Sequence, residues 1–170
     1  MKKEDNEKMS GKALLKSLLG YGAIAVGVFV LFTQIIMVAN VEGNSMNDTY
    51  QDGDALLCRR IGDVDKGDVI ICSTDEGKTL IKRVIGTGGD TVDIDFEAGT
   101  VTVNGEVLDE PYIKEATHLN EKAFTYPITV PEGCFFVLGD NRNYSSDSRK
   151  YGYIKEKNIK SKVLFELPFF

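Results

Sequence analysis

The hydrophobic pattern divides the chain into one long apolar run and a following region of short, alternating ones. From Ser17 to Val41 there are 25 consecutive residues without a charge, including Ala23-Ile-Ala-Val-Gly-Val-Phe-Val-Leu-Phe. The run lacks the polar face of a core helix, and it exceeds the ~7–15 apolar residues of a cleaved signal peptide. As a helix it spans roughly 37 Å, enough for a ~30 Å hydrocarbon core. The pattern therefore predicts a transmembrane signal-anchor helix over 17–41, a tail over 1–16 and a separate domain over 42–170.

That domain reads as β. Asp54-Ala-Leu-Leu-Cys and Asp68-Val-Ile-Ile-Cys are apolar runs bounded by Gly and Asp, as buried strands are. Lys78-Thr-Leu-Ile-Lys-Arg-Val-Ile-Gly is another, and Thr91-Val-Asp-Ile-Asp-Phe alternates with period two. Asn104-Gly105 between alternating residues is a strong hairpin signal. Phe135-Phe-Val-Leu-Gly and Ser161-Lys-Val-Leu-Phe-Glu-Leu add two strands. No helical period follows the apolar run, so the fold class is mainly β, a barrel or sandwich behind one membrane helix.

Charge adds orientation. Residues 1–16 carry a net +2 and residues 42–170 a net −8. Lysines before the apolar run and Glu42 after it place the tail in the cytoplasm and the β domain outside. An acidic domain without a basic stripe excludes nucleic acid as a partner. Cys58, Cys72 and Cys134 fit no metal spacing and read as buried small apolar residues, with one disulfide as the minority reading. His118 lies in a polar stretch and reads as a loop residue. No metal or cofactor is implied.

Three segments carry candidate chemistry. Ser45, in Val41-Glu-Gly-Asn-Ser-Met, lies at most about 14 Å of extended chain beyond the apolar run. A nucleophile there reaches only substrates at the membrane surface, and it needs a base. Lys82 sits in the apolar strand Leu80-Ile-Lys-Arg-Val-Ile, where it and Arg83 must point to opposite faces. At its ordinary pKa of about 10.4 a lysine is neutral in about one molecule in 2,500 at pH 7. Burial lowers that pKa and makes a usable base, although an edge strand protected by charges has the same pattern. The third segment, Gly139-Asp-Asn-Arg-Asn-Tyr-Ser-Ser-Asp-Ser-Arg-Lys-Tyr-Gly, has the composition of a long turn and holds the Asp147/Arg149 pair.

Together these segments resemble the type I signal peptidases. Ser45-Met46, Lys82-Arg83-Val84-Ile85-Gly86 with Gly89-Asp90, and the run from Gly139 through Arg149 resemble that family's nucleophile, lysine and C-terminal boxes, in the family's order. Lys66-Gly-Asp-Val-Ile-Ile resembles its intervening strand box. The resemblance covers about residues 12–165 and implies a barrel-like signal-peptidase β domain. It implies Ser45 as nucleophile with Met46 beside it, Lys82 as general base, and Ser145 as a hydroxyl hydrogen-bonded to the lysine. It also implies a structural Asp147–Arg149 ion pair, with Arg83 a candidate third member. The Ser45 backbone N–H would serve the oxyanion. Some members add a hydroxyl two residues earlier, where this chain has Gly43.

Two positions depart from the family. Asp48 and Gly88 stand where prolines usually do, which removes a fixed φ and predicts looser loops beside the dyad. Asp48 either approaches Lys82, raising its pKa, or points to solvent as most turn aspartates do. The sequence thus predicts a membrane-anchored Ser–Lys endopeptidase that removes signal peptides from exported pre-proteins. Its partners would be those pre-proteins and membrane lipid, with the secretion machinery as a further partner. The alternatives are a peptidase for a narrow substrate set and an inactive homologue that binds pre-proteins. A self-cleaving Ser–Lys repressor is disfavoured by the anchor, and a penicillin-interacting enzyme by the absence of Ser-x-x-Lys.

Overall fold

A computed structural model describes residues 2–60, 62–121 and 123–168. The chain forms two compact units, one ending at Ile36 and one beginning at Met37.

The first unit is helix α1 (Lys2–Ile35), which continues back through the lysine-rich stretch predicted as a tail. Its stretch Ala13–Ile35 is 23 residues of mean hydropathy 2.0, long and apolar enough to cross a membrane. The helix stops six residues short of the predicted end at Val41. Ile36–Asn40 instead forms strand β1, because the apolar run conceals a period of two at its end. Met37, Ala39 and Val41 turn toward the core while Val38 and Asn40 face out. The Val41 N–H donates to the Asp54 carbonyl at 2.8 Å, so the strand feeds into the sheet rather than the helix.

The second unit is mainly β. Besides β1 it contains β2 (Ala55–Arg59), β3 (Val69–Ser73), β4 (Thr79–Thr87), β5 (Thr91–Asp95), β6 (Thr100–Val103) and β7 (Glu106–Val107). β8 (Ile128–Thr129), β9 (Cys134–Leu138), β10 (Ile154–Lys155) and β11 (Ile159–Glu166) complete it, with a one-turn helix α2 (Ser148–Tyr151) before β10. The expected strands are all present. β8, β10 and the short α2 carry no readable period, and that of β1 is hidden in the apolar run. A seven-stranded sheet, ordered β1-β2-β11-β3-β4-β9-β10, curls as a half-barrel; a second sheet is ordered β7-β6-β5-β8.

Burial follows the strand patterns. Val69 through Cys72 of β3 are all buried, as a strand covered on both faces requires, whereas β5 alternates. One core cluster joins the sheets around Ile85, Val92, Val101, Phe136 and Leu138. A second gathers Val41, Met46, Leu56, Cys58, Val69, Ile71 and Val163. A third holds Ile70, Cys72, Leu80, Val84, Val137 and Ile154. All three cysteines are free, Cys58 and Cys72 buried and Cys134 partly so.

Candidate active site

Ser45 sits in the turn that follows β1. The turn is closed by hydrogen bonds from Asn47 N to the Asn44 carbonyl (3.2 Å) and from Tyr50 N to the Met46 carbonyl (2.9 Å). Met46 anchors it: the side chain is 1 % exposed and packs in the Val41–Leu56–Ile71 cluster. Burying such a side chain contributes about 1.5–3 kcal/mol, which fixes the neighbouring serine.

Lys82 lies on β4, where Leu80, Lys82 and Val84 point to the buried face and Ile81 and Arg83 to the other. It is 3 % exposed, opposite Ile70 on β3. Its Nζ lies 2.6 Å from Ser45 Oγ and 2.7 Å from the Ile81 carbonyl oxygen. Desolvation pushes the amine down to about 8, against an opposing pull from Asp147, the Cys72 thiol and Asp140. At that value about one amine in eleven is neutral at pH 7. Burial likewise raises the Cys72 thiol to about 12, so it is an inert neighbour.

The Gly139–Gly152 segment wraps over this pair. The Asn141 N–H donates to the Ser45 carbonyl at 3.1 Å, and Asn141 Nδ2 to the Asn44 carbonyl at 2.9 Å. Gly139 is required by close approach: a Cβ there would collide with the Ser145 side chain and the Ser45 carbonyl oxygen. Asp147 and Arg149, both with 0 % side-chain exposure, form the expected ion pair, Nε–Oδ1 2.9 Å and NH2–Oδ2 2.8 Å. Asp147 also accepts from Gly139 N at 3.0 Å and from Ser145 Oγ at 2.7 Å.

Two expected partnerships differ. The Ser145 hydroxyl donates to Asp147 two residues away, and the hydrogen bonds of Lys82 Nζ go to Ser45 Oγ and the Ile81 carbonyl rather than to Ser145. Arg83 does not join Asp147 and Arg149. It projects from the opposite face of β4 and forms a two-pronged pair with Asp140, Nε–Oδ1 2.9 Å and NH2–Oδ2 2.6 Å, with its guanidinium 4.0 Å from the Tyr112 ring centre. Asp140 also accepts from the Thr49 hydroxyl at 2.6 Å, linking the strand of Lys82 to the turn of Ser45.

Sequence reasoning missed Asp140 as a hub, Asn141 as the strap on Ser45, and the whole segment 109–121. Arg142 is 0 % exposed and clamped to Glu110 (NH1–Oε2 2.7 Å) and Thr117 (2.9 Å), which holds that segment against the loop. The one available signal was the Arg142 cation in the C-terminal box, for which the expected Asp147–Arg149 pair leaves no partner of its own.

The two departures from the family pattern, Asp48 and Gly88, lie in turns closed by backbone hydrogen bonds. The Asp48 carboxylate is 77 % exposed and its ion-pair partner is Lys114 at 3.8 Å; it faces solvent, not Lys82. At Gly88 a Cβ would lie 2.9 Å from the Glu132 Cα, so a proline fits only if the 131–133 turn moves. The adjoining turn is held by Gly89 N to the Val130 carbonyl (2.9 Å) and by Asp90. Burial alone would raise the Asp90 carboxyl, but hydrogen bonds from Thr87, Asn104 and Lys66 hold it at about 2. His118 is an exposed loop residue with Nδ1 2.9 Å from the Phe96 carbonyl oxygen. Among the described residues no group of three His, Cys, Asp or Glu side chains is arranged to hold a metal ion.

Residues 13–167 match the family described as signal peptidase, peptidase S26. The chain belongs to the type I signal peptidases. It is 39 % identical to signal peptidase I V of Bacillus subtilis over 133 residues, covering 70 % of this chain and 78 % of that one. It is 32 % identical to signal peptidase IB of Staphylococcus aureus, covering 93 % and 92 % of the two chains. A crystal structure of a signal peptidase I from Enterococcus faecalis is similar at 33 % identity and a TM-score of 0.50, covering 62 % of this chain and 99 % of that one. This peptidase is accordingly a serine endopeptidase with a signal-peptidase β fold.

Proposed function

We propose that Ser45 and Lys82 are the catalytic dyad of a membrane-anchored peptidase that removes signal peptides from exported pre-proteins. The observation that carries this reading is the 2.6 Å approach of a buried amine, held at about 8, to the Ser45 hydroxyl. The neutral Lys82 amine takes the Ser45 proton as the oxygen attacks the scissile carbonyl. The tetrahedral intermediate places its oxyanion against the Ser45 N–H, which has no acceptor among the described residues. Lys82 then returns the proton to the leaving amine. A water, deprotonated by the same lysine, releases the acyl group and restores Ser45. Asp147, Arg149, Ser145 and Arg83 position the dyad without touching the reacting atoms.

The anchor lies within the helical stretch Ala13–Ile35, with the lysine-rich residues before it cytoplasmic and the β domain after it extracytoplasmic by the lysine bias. A nucleophile ten residues beyond Ile35 suits a bond at the membrane surface. The half-buried Met37, Ala39 and Ile81, packed on the core cluster around Met46, offer an apolar surface that suits small apolar residues before that bond. The test is incubation of the purified full-length protein with a labelled precursor, followed by sequencing of the new N-terminus. Cleavage after a small-residue stretch supports the reading; an intact precursor, or identical cleavage by Ser45→Ala protein, overturns it.

A further inference from the structure

A cleft of about 500 Å³ opens between β4, past Lys82, and the β6–β7 hairpin. Its floor begins two residues past Lys82, at Val84 and Ile85, which is about 7 Å along a strand. Tyr112 borders it toward the nucleophile, with its carbonyl 3.5 Å from the Thr49 hydroxyl and its ring against Arg83. The opposite wall comes from the β6–β7 hairpin and the residues after it, where Val107 is 66 % exposed and Leu108 lies next to it.

The charges in this cleft are unbalanced. Lys66 is taken by Asp90 at 3.1 Å, and Asn104 Nδ2 also donates to Asp90 at 2.6 Å. Glu106 and Asp109, both exposed on the wall, have neither a cation nor a hydrogen-bond donor for their carboxylates among the described residues. The exposed Val107 and half-buried Leu108 and Tyr112 beside unpaired carboxylates complement one kind of side chain. Lysine and arginine lay a methylene stem on apolar surface and carry the charge at its end.

We propose that this cleft binds the part of the substrate that follows the scissile bond, and that it selects there for a lysine or arginine. The inference rests on the reading of Ser45 and Lys82 as the dyad. The two sides of Ser45 differ in chemistry: the half-buried Met37, Ala39 and Ile81 carry no charge and suit the apolar signal segment, so the acidic cleft past Lys82 is left for the leaving side. With about 3.3 Å of extended chain per residue, the cationic side chain falls about two to five residues after the bond. Arg83 does not compete for the carboxylates, because Asp140 already holds it.

The test uses the full-length protein in detergent and two peptides identical except for lysine or glutamate at the third residue after the bond. The lysine peptide should be cleaved with about fivefold higher kcat/KM, expressed in KM, and the gap should shrink in high salt. The double variant Glu106→Lys, Asp109→Lys should reverse the order. Equal kcat/KM for the two peptides, a gap indifferent to salt, or the same preference in the double variant overturns the proposal. A second arm measures fluorescence anisotropy of both labelled peptides on Ser45→Ala protein, and the lysine peptide should bind more tightly. If the wild-type protein cleaves neither peptide, the dyad reading fails and the anisotropy arm alone decides the cleft. Equal binding there overturns it.

Discussion

Lys82 Nζ and Ser45 Oγ approach to 2.6 Å although 37 positions separate the two residues, and the lysine is almost closed to solvent. An amine so placed costs stability when charged and supplies a base when neutral. Both consequences are measurable.

Ser45→Ala and Lys82→Ala should each abolish precursor cleavage while leaving the fold intact, and Lys82→His should not rescue it. Lys82→Met should be equally inactive yet more stable. The drop from 10.5 to about 8 corresponds to about 3 kcal/mol against the buried ammonium. The unfolded chain binds the extra proton between these values, so the wild-type deficit is complete below pH 8 and vanishes as pH rises through 10.5. Thermal melts of both proteins at pH 7 check this; a Lys82→Met protein less stable than wild type contradicts it.

With its base at about 8, kcat/KM should rise about tenfold per pH unit below that value and flatten above it. Because Asp48 faces solvent and Lys114, Asp48→Asn should leave this limb where it is. A pH–rate profile in which Asp48→Asn shifts the limb toward acid would place the carboxylate near Lys82 after all.

Asp147 is the leading charge that raises Lys82 against the effect of burial. Asp147→Asn should therefore move the limb to lower pH. It also strands the buried Arg149 guanidinium, at a cost of about 3–5 kcal/mol. Adding Arg149→Met should recover much of that stability without returning the limb. Denaturant melts and pH–rate profiles separate the two effects, and a limb that follows stability rather than charge would refute the assignment.

Gly88→Pro should destabilise the protein by about 1–3 kcal/mol, since the new Cβ overlaps the Glu132 backbone. Asp48→Pro has no such conflict in its exposure, and its melting temperature should stay closer to wild type. Equal melting temperatures for wild type and Gly88→Pro would show that the 131–133 turn yields freely.

A chain beginning at Ile36 should lose membrane binding but keep the complete sheet and its cleavage of short peptides. One beginning at Glu42 also loses β1 and the buried Val41, and should melt lower or fail to fold. Circular dichroism of the two proteins distinguishes this from an apolar run that serves the helix alone.

By itself the sequence determined what is periodic or local. The 25 uncharged residues, the alternation in 91–96, the Asn104-Gly105 turn and the opposition of Lys82 and Arg83 all follow from steric repeats along a few residues. The ordered boxes pointed to Ser45 and Lys82 through their resemblance to the type I signal peptidases. Only the tertiary structure decided the rest. Ile36–Asn40 is apolar enough to extend a helix, and becomes a strand because β2 offers it hydrogen bonds. Arg83 finds Asp140 57 positions away, and Gly88 fits only because Glu132 passes close by. Ser145 turns to Asp147, and Asp48 turns outward to Lys114. Such partnerships depend on which side chains packing brings within about 3 Å of each other, and nothing in the spacing of residues along the chain encodes that distance.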